Sequence, residues 1–90
     1  MKESDIERHL AERIRKAGGL CLKIVSPGCV GIPDRLVILP GGETTWCELK
    51  TPKGKVSAVQ LRMHTRLKEL TQEVEILRSV EAINKRFPLE

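Results

Sequence analysis

The stretch Pro33-Asp34-Arg35-Leu36-Val37-Ile38-Leu39-Pro40-Gly41-Gly42-Glu43-Thr44-Thr45-Trp46-Cys47-Glu48-Leu49-Lys50 encodes a hairpin and, on that hairpin, a cluster of charge. The apolar run Val37-Ile38-Leu39 stops at Pro40-Gly41-Gly42, which is turn chemistry, and the chain returns through Thr44–Lys50. If those three residues make the turn, Leu39 pairs with Glu43 and the ladder sets Asp34 directly across from Glu48. Alternate side chains of a strand share a face, so Glu48 and Lys50 point one way and Leu49 the other. Two carboxylates opposed across a hairpin repel and cost stability. A divalent cation between them reverses the sign. The spacing predicts a Mg²⁺ site with a lysine beside it.

Outward from the hairpin, the pattern predicts helices on both sides. Ser4 with Glu7 three residues on is a capping-box signature, and Ile6, Leu10, Ile14 and Ala17 follow at helical spacing until Gly18-Gly19. Leu20, Leu22 and Ile24 alternate with Cys21, Lys23 and Val25, which predicts a strand. Pro27-Gly28 and Gly31-Ile32-Pro33 bracket a loop before the hairpin strands, expected near 34–39 and 44–50. After the basic loop Thr51–Lys55, Ser57 and Gln60 make a second capping box, with Val59, Met63, Leu67 and Leu70 as the expected core stripe. Val74–Leu77 is a short strand, and Ser79 caps a last helix carrying Val80, Ile83 and Phe87. The order αβββαβα predicts an α/β domain with a mixed sheet flanked by helices.

Composition bounds the function. The 90 residues suffice for one small domain, 1–90, and are marginal for one core. Sixteen Lys and Arg against 12 Asp and Glu give a formal charge of +4, compatible with a polyanionic partner. Trp46 and Phe87 are the only aromatic residues, which disfavours binding single strands by stacking bases. Cys21, Cys29 and Cys47 form no C-x-x-C pair, so neither a disulfide scaffold nor a zinc site is expected; they read as small hydrophobes in a reducing cytoplasm. No signal-peptide pattern and no apolar run of membrane-spanning length is present, so no membrane association is expected. Glycines match no phosphate-loop spacing, and no serine has a His/Asp relay.

Taken singly, the candidate residues each have an ordinary explanation. Asp34 after proline is common turn chemistry, and Glu48 could be one more strand carboxylate. Their joint placement on one face with Lys50 favours a site, where the ammonium group could meet a scissile phosphate. Glu7 and Gln60 sit at the third position of their capping boxes, which by itself explains both. Lys23 is a phosphate contact only if its face of the first strand bears the site. Lys53 and Lys55, flanking Gly54, are the best candidates for a backbone-phosphate clamp. His9 and His64 belong to no metal-ligand spacing and read as helix-surface residues.

The opening-helix glutamate, Lys23-x-x-Ser26, Gly31-Ile32-Pro33-Asp34, Glu48-Leu49-Lys50 and the downstream Gln60 resemble, in order, the motifs of the PD-(D/E)xK nuclease superfamily. Within it, the chain is similar over nearly its whole length to the virus-type replication-repair nuclease (VRR-NUC) domain. The resemblance implies a single restriction-endonuclease-like domain and a metal-dependent DNA endonuclease, using Mg²⁺ or Mn²⁺ and acting on branched, flap or junction DNA. It implies Asp34, Glu48 and the Leu49 backbone carbonyl as metal ligands, with Glu7 contributing directly or through water. Lys50 would orient the attacking water and stabilise the pentacovalent phosphate, and Gln60 would position water or metal. Stand-alone members look like phage or prophage proteins and form homodimers, which implies a cytoplasmic protein of a bacterial host cell. Two alternatives keep the same fold: a non-catalytic nucleic-acid-binding module, and a structural dimer subunit of a phage replication or repair complex.

Overall fold

A computed structural model of the protein describes residues 1–89. Among the described residues, three helices and four strands follow in the expected order: α1 (Glu3–Lys16), β1 (Leu20–Lys23), β2 (Arg35–Ile38), β3 (Thr44–Leu49), α2 (Ala58–Glu69), β4 (Val74–Leu77) and α3 (Val80–Arg86). The sheet order is β1-β2-β3-β4. The first three strands are antiparallel, and β4 returns parallel to β3 after the α2 crossover.

The hairpin has the expected register. Arg35 pairs with Cys47 and Ile38 with Thr44. Leu39 N–H then donates to the Glu43 carbonyl at 2.8 Å, so the turn is Pro40-Gly41-Gly42. Gly41 and Gly42 have φ of 95° and 91°, a left-handed conformation that a Cβ disfavours. One step before Arg35–Cys47, the same register sets Asp34 opposite Glu48.

The sheet divides two environments. Val37, Cys47, Leu49 and Leu77 face Ile6, Leu10 and Ile14 of α1 and Ile83 and Phe87 of the α3 end, and these residues form the buried core. The four-residue spacing of the α1 apolar residues keeps them on one side of that helix. On the other sheet face lie Leu22, Leu36, Trp46, Glu48 and Ile76, by alternation from the paired residues. Among the described residues, the helix on this face is α2.

Two helix expectations are corrected. α1 begins at Glu3, ahead of the expected Ser4 cap, because the Asp5 carboxylate accepts a hydrogen bond from Lys2 N–H at 3.1 Å. Glu7 therefore has no capping duty. The Val59–Met63–Leu67–Leu70 stripe is not core: Val59 is 36% and Leu70 52% exposed, and the only buried residue of α2 is His64. The helix sits over the β4 side of the sheet on a line made of Gln60, Met63, His64 and Leu67, with His64 buried and the other three half-buried. The Ser57 cap is as expected. Ser57 Oγ accepts from Gln60 N–H at 3.1 Å, and Gln60 Oε1 accepts from Ser57 N–H at 2.9 Å. At α3, Ser79 Oγ accepts from Ala82 N–H at 3.0 Å.

Candidate active site

Three local features bring Asp34 to Glu48. Gly31, at φ 88°, lies so close to the first turn of α2 that a Cβ there would stand 2.8 Å from the Val59 carbonyl oxygen. Pro33 is buried behind it, and the Asp34 carbonyl accepts from Ile24 N–H at 3.0 Å, which prolongs the β1–β2 pairing. Asp34 Oδ2 then accepts from Leu49 N–H at 2.8 Å, so its carboxylate is fixed against β3.

Glu48 is 1% exposed, unusual for an ionisable residue. Its Oε2 accepts from Gln60 Nε2 at 3.1 Å and lies 3.7 Å from Lys50 Nζ. Gln60 thus does two jobs at once, with its carbonyl end capping α2 and its amide end holding Glu48. The two jobs need no turning away of the side chain. Glu48 Oε1 faces His64 Nε2 at 3.6 Å, and both atoms are buried without a hydrogen-bond partner among the described residues. Burial pushes the Glu48 carboxyl up to about 8; the charge and hydrogen bonding of Asp34 add to the rise, Lys50 offsets part of it, and Glu3 adds a little more. Burial, with Lys68 and Lys50, pushes the His64 imidazole down despite the pull of Asp34.

The remaining candidates are placed elsewhere. Glu7 accepts from Arg35 Nε at 3.0 Å, and Arg35 also holds the Cys21 carbonyl at 3.1 Å. That pair lies on the core side of the sheet, because Arg35 shares a face with Cys47. The glutamate of α1 whose charge reaches Glu48 is Glu3, in the first helical turn. Lys23 pairs with Arg35, so it too points to the face away from Glu48, and the condition for a phosphate contact is not met. Lys53 and Lys55 are exposed in the loop after β3. Arg78 pins that loop, donating from one nitrogen to the Thr51 carbonyl at 3.0 Å and the Gly54 carbonyl at 2.6 Å.

A divalent cation fits the acid pair. Two carboxylates held together, one of them raised far above its ordinary range by burial and by the other, are a strained arrangement that positive charge relieves. Oε2 of Glu48 accepts one hydrogen bond and Oε1 none among the described residues, so each oxygen keeps a lone pair with which to ligate. Among the described residues no three His, Cys, Asp or Glu side chains converge on one point, so the donor set is not an all-side-chain cage. Two carboxylates, a main-chain carbonyl such as that of Leu49 and waters match what Mg²⁺ accepts.

No family model matches the chain. A solved structure described as a "VRR_NUC domain" superposes with a TM-score of 0.86 and 33% identity, over 92% of this chain and 90% of that one. A curated protein named "Putative nuclease p44", from Acyrthosiphon pisum secondary endosymbiont phage 1, is 47% identical over 79 residues, 88% of this chain and 85% of that protein. The chain belongs to the VRR-NUC family.

Of the residues that the VRR-NUC resemblance leads one to expect at the site, Asp34, Glu48, Lys50 and Gln60 come together, whereas Glu7 and Lys23 do not. Two side chains that sequence reasoning does not single out stand at or behind this candidate site, His64 and Arg78, and the charge of a third, Glu3, reaches it. The signal for His64 was its place four residues after Gln60, on the same face of one helix. Glu3 and Arg78 carry no comparable mark. His9, also expected on the surface, is half-buried, with Nε2 2.7 Å from Asn84 Oδ1. The three cysteines are unpaired, Cys47 buried and the others half-buried.

Proposed function

We propose that this chain is a Mg²⁺- or Mn²⁺-dependent endonuclease that hydrolyses DNA phosphodiester bonds and selects branched, flap or junction structures. The observation that carries the proposal is the buried Glu48 carboxyl beside Asp34, gripped by Gln60 and 3.7 Å from Lys50. Family membership and the p44 relative point the same way.

Asp34, Glu48 and the Leu49 carbonyl are the groups that would hold the cation. Once bound, such an ion polarises a phosphate and lowers the pKa of a coordinated water. Gln60 holds one oxygen of the Glu48 carboxylate, and Lys50, tethered beside it, orients the attacking water and places positive charge where the phosphate gains negative charge. Lys53 and Lys55, on the loop pinned by Arg78, contact backbone phosphates. Backbone contacts carry no sequence information, which supports recognition of DNA shape.

The partner in solution is a second copy of the chain. Leu20 (59%), Leu61 (51%) and Leu70 (52%) are exposed, and a domain this small gains from covering them. The phage origin of p44 supports action in the cytoplasm of a bacterial host cell. Among the described residues no helix is long and apolar enough to cross a membrane.

Labelled duplex, flap and four-way-junction DNAs incubated with Mg²⁺, Mn²⁺ or EDTA test the proposal. The expected result is metal-dependent cutting of branched substrates, lost in Asp34→Asn. Binding without cutting in either metal points instead to a nucleic-acid-binding module, and neither binding nor cutting points to a structural subunit. Sedimentation tests the dimer, and a monomer at tens of micromolar refutes it.

A further inference from the structure

We propose that His64 is a positioning residue for Glu48: its Nε2–H closes onto Glu48 Oε1 and locks the carboxylate in the orientation that holds the divalent cation. The inference rests on the metal-dependent site proposed above and assigns a residue to it.

A glutamate turns about three single bonds, so burial alone does not fix its two oxygens. On Glu48 the fixing is half visible. Oε2 has Gln60 Nε2 at 3.1 Å, while Oε1 has only His64 Nε2, at 3.6 Å. These two atoms have no hydrogen-bond partner among the described residues, and each is sealed from solvent. A buried polar atom left unsatisfied typically costs about 1–3 kcal/mol, so two such atoms facing each other have reason to meet. Their chemistry is complementary, since a neutral imidazole with its proton on Nε2 donates and a carboxylate oxygen accepts. The closing movement is a few tenths of an ångström, to the usual range of about 3 Å. Gln60 and His64 lie four residues apart on one face of α2, so a single helix presents a donor to each oxygen of a single carboxylate.

His64 is not itself a third ligand. No three side chains of the ligating types converge on one point among the described residues, and Mg²⁺ takes oxygen rather than imidazole. Nor is it plain filler, for an apolar residue would fill the same buried space without facing the carboxylate with a ring nitrogen. Partners that orient ligating groups typically change metal affinity about 10- to 100-fold when removed.

The experiment is calorimetric titration of Mg²⁺ and of Mn²⁺, each alone, into the full chain and its His64→Leu and His64→Gln variants, with circular dichroism confirming the fold. His64→Leu is expected to lose about 10-fold or more in affinity for both ions in similar proportion. His64→Gln, which restores an N–H donor and serves if the leucine variant fails to fold, is expected to bind within a few-fold of wild type. A His64→Leu protein that binds both ions like wild type, or a His64→Gln protein as weak as a folded His64→Leu protein, overturns the positioning role while leaving the metal site standing. Loss of Mn²⁺ binding alone makes His64 a ligand and overturns it as well. If wild type binds neither ion, the metal site fails and the inference falls with it.

Discussion

The Glu48 carboxyl makes the metal-free protein a measurable pH sensor. In the unfolded chain it titrates near the ordinary glutamate value of 4.5, and in the fold burial and then Asp34 push it up to about 8. Between those values the folded state holds a proton that the unfolded state has released. Stability from this group is therefore complete below the unfolded value and is lost as pH rises toward and through the folded one. The slope is at most about 1.4 kcal/mol per pH unit, so raising the pH from about 5.5 to about 7.5 removes at most ~3 kcal/mol. A domain of this size shifts its Tm by about 4–8 °C per kcal/mol, which puts the largest drop at roughly 10–25 °C. His64 acts with the opposite sign, because its lowered value makes the fold gain stability as pH rises through the lower part of that window. The difference between wild type and Glu48→Gln isolates the carboxyl. Thermal unfolding in EDTA at stepped pH should show wild type losing stability relative to Glu48→Gln, which cannot ionise yet keeps an acceptor for Gln60. Millimolar Mg²⁺ should flatten the wild-type curve, since a bound cation takes the place of the proton. Parallel curves for the two proteins, or a wild-type advantage that grows with pH in EDTA, would refute the account of the pair.

Three further outcomes test neighbouring parts of the site. Asp34→Asn keeps an acceptor for Leu49 N–H and removes the repulsion, so without metal it should be neutral or stabilising, whereas Asp34→Ala orphans that N–H and should cost about 1–3 kcal/mol by denaturant unfolding. Equal destabilisation by the two would mean that charge has no part in it. Lys50→Ala should slow cleavage about 100-fold or more with DNA binding and fold retained, and cutting at the wild-type rate would remove Lys50 from the mechanism. Arg78→Ala frees the 51–54 loop that carries Lys53; it should weaken junction binding several-fold in a gel-shift titration while leaving the rate at saturating DNA near wild type. A fall in that rate with unchanged binding would place Arg78 in the chemistry instead.

What was legible in the sequence was whatever local geometry decides. Pro40-Gly41-Gly42 fixes the turn, the turn fixes the register, and the register alone sets Asp34 against Glu48. The order of elements and the parallel return of β4 follow from patterns of similar range. What was misread depends on docking. The face of Lys23 is set by how β1 pairs after a long loop, not by any turn residue. Apolar spacing alone marks Val59, Met63, Leu67 and Leu70 in α2, whereas docking half-buries only Met63 and Leu67, adds the polar Gln60 and His64, and leaves Val59 and Leu70 exposed. Glu7 has its place in the order of the family motifs, but its partner Arg35 lies on another element and holds it on the core side of the sheet, which no local pattern reveals.

Gln60 shows where a finer sequence reading was available. A capping box accepts glutamate as readily as glutamine at its third helical position, because only an oxygen is needed to accept from the cap N–H. The cap therefore explains an acceptor at this position but does not choose between the two residues. The second bond makes that choice, since Gln60 Nε2 must donate to Glu48 Oε2, and a glutamate there would set a third carboxylate against a pair already strained by burial. Helix start and site thus share one side chain whose oxygen serves the fold and whose nitrogen serves the acid pair. The amide identity, more than the presence of a cap, is the residue-level mark of the site.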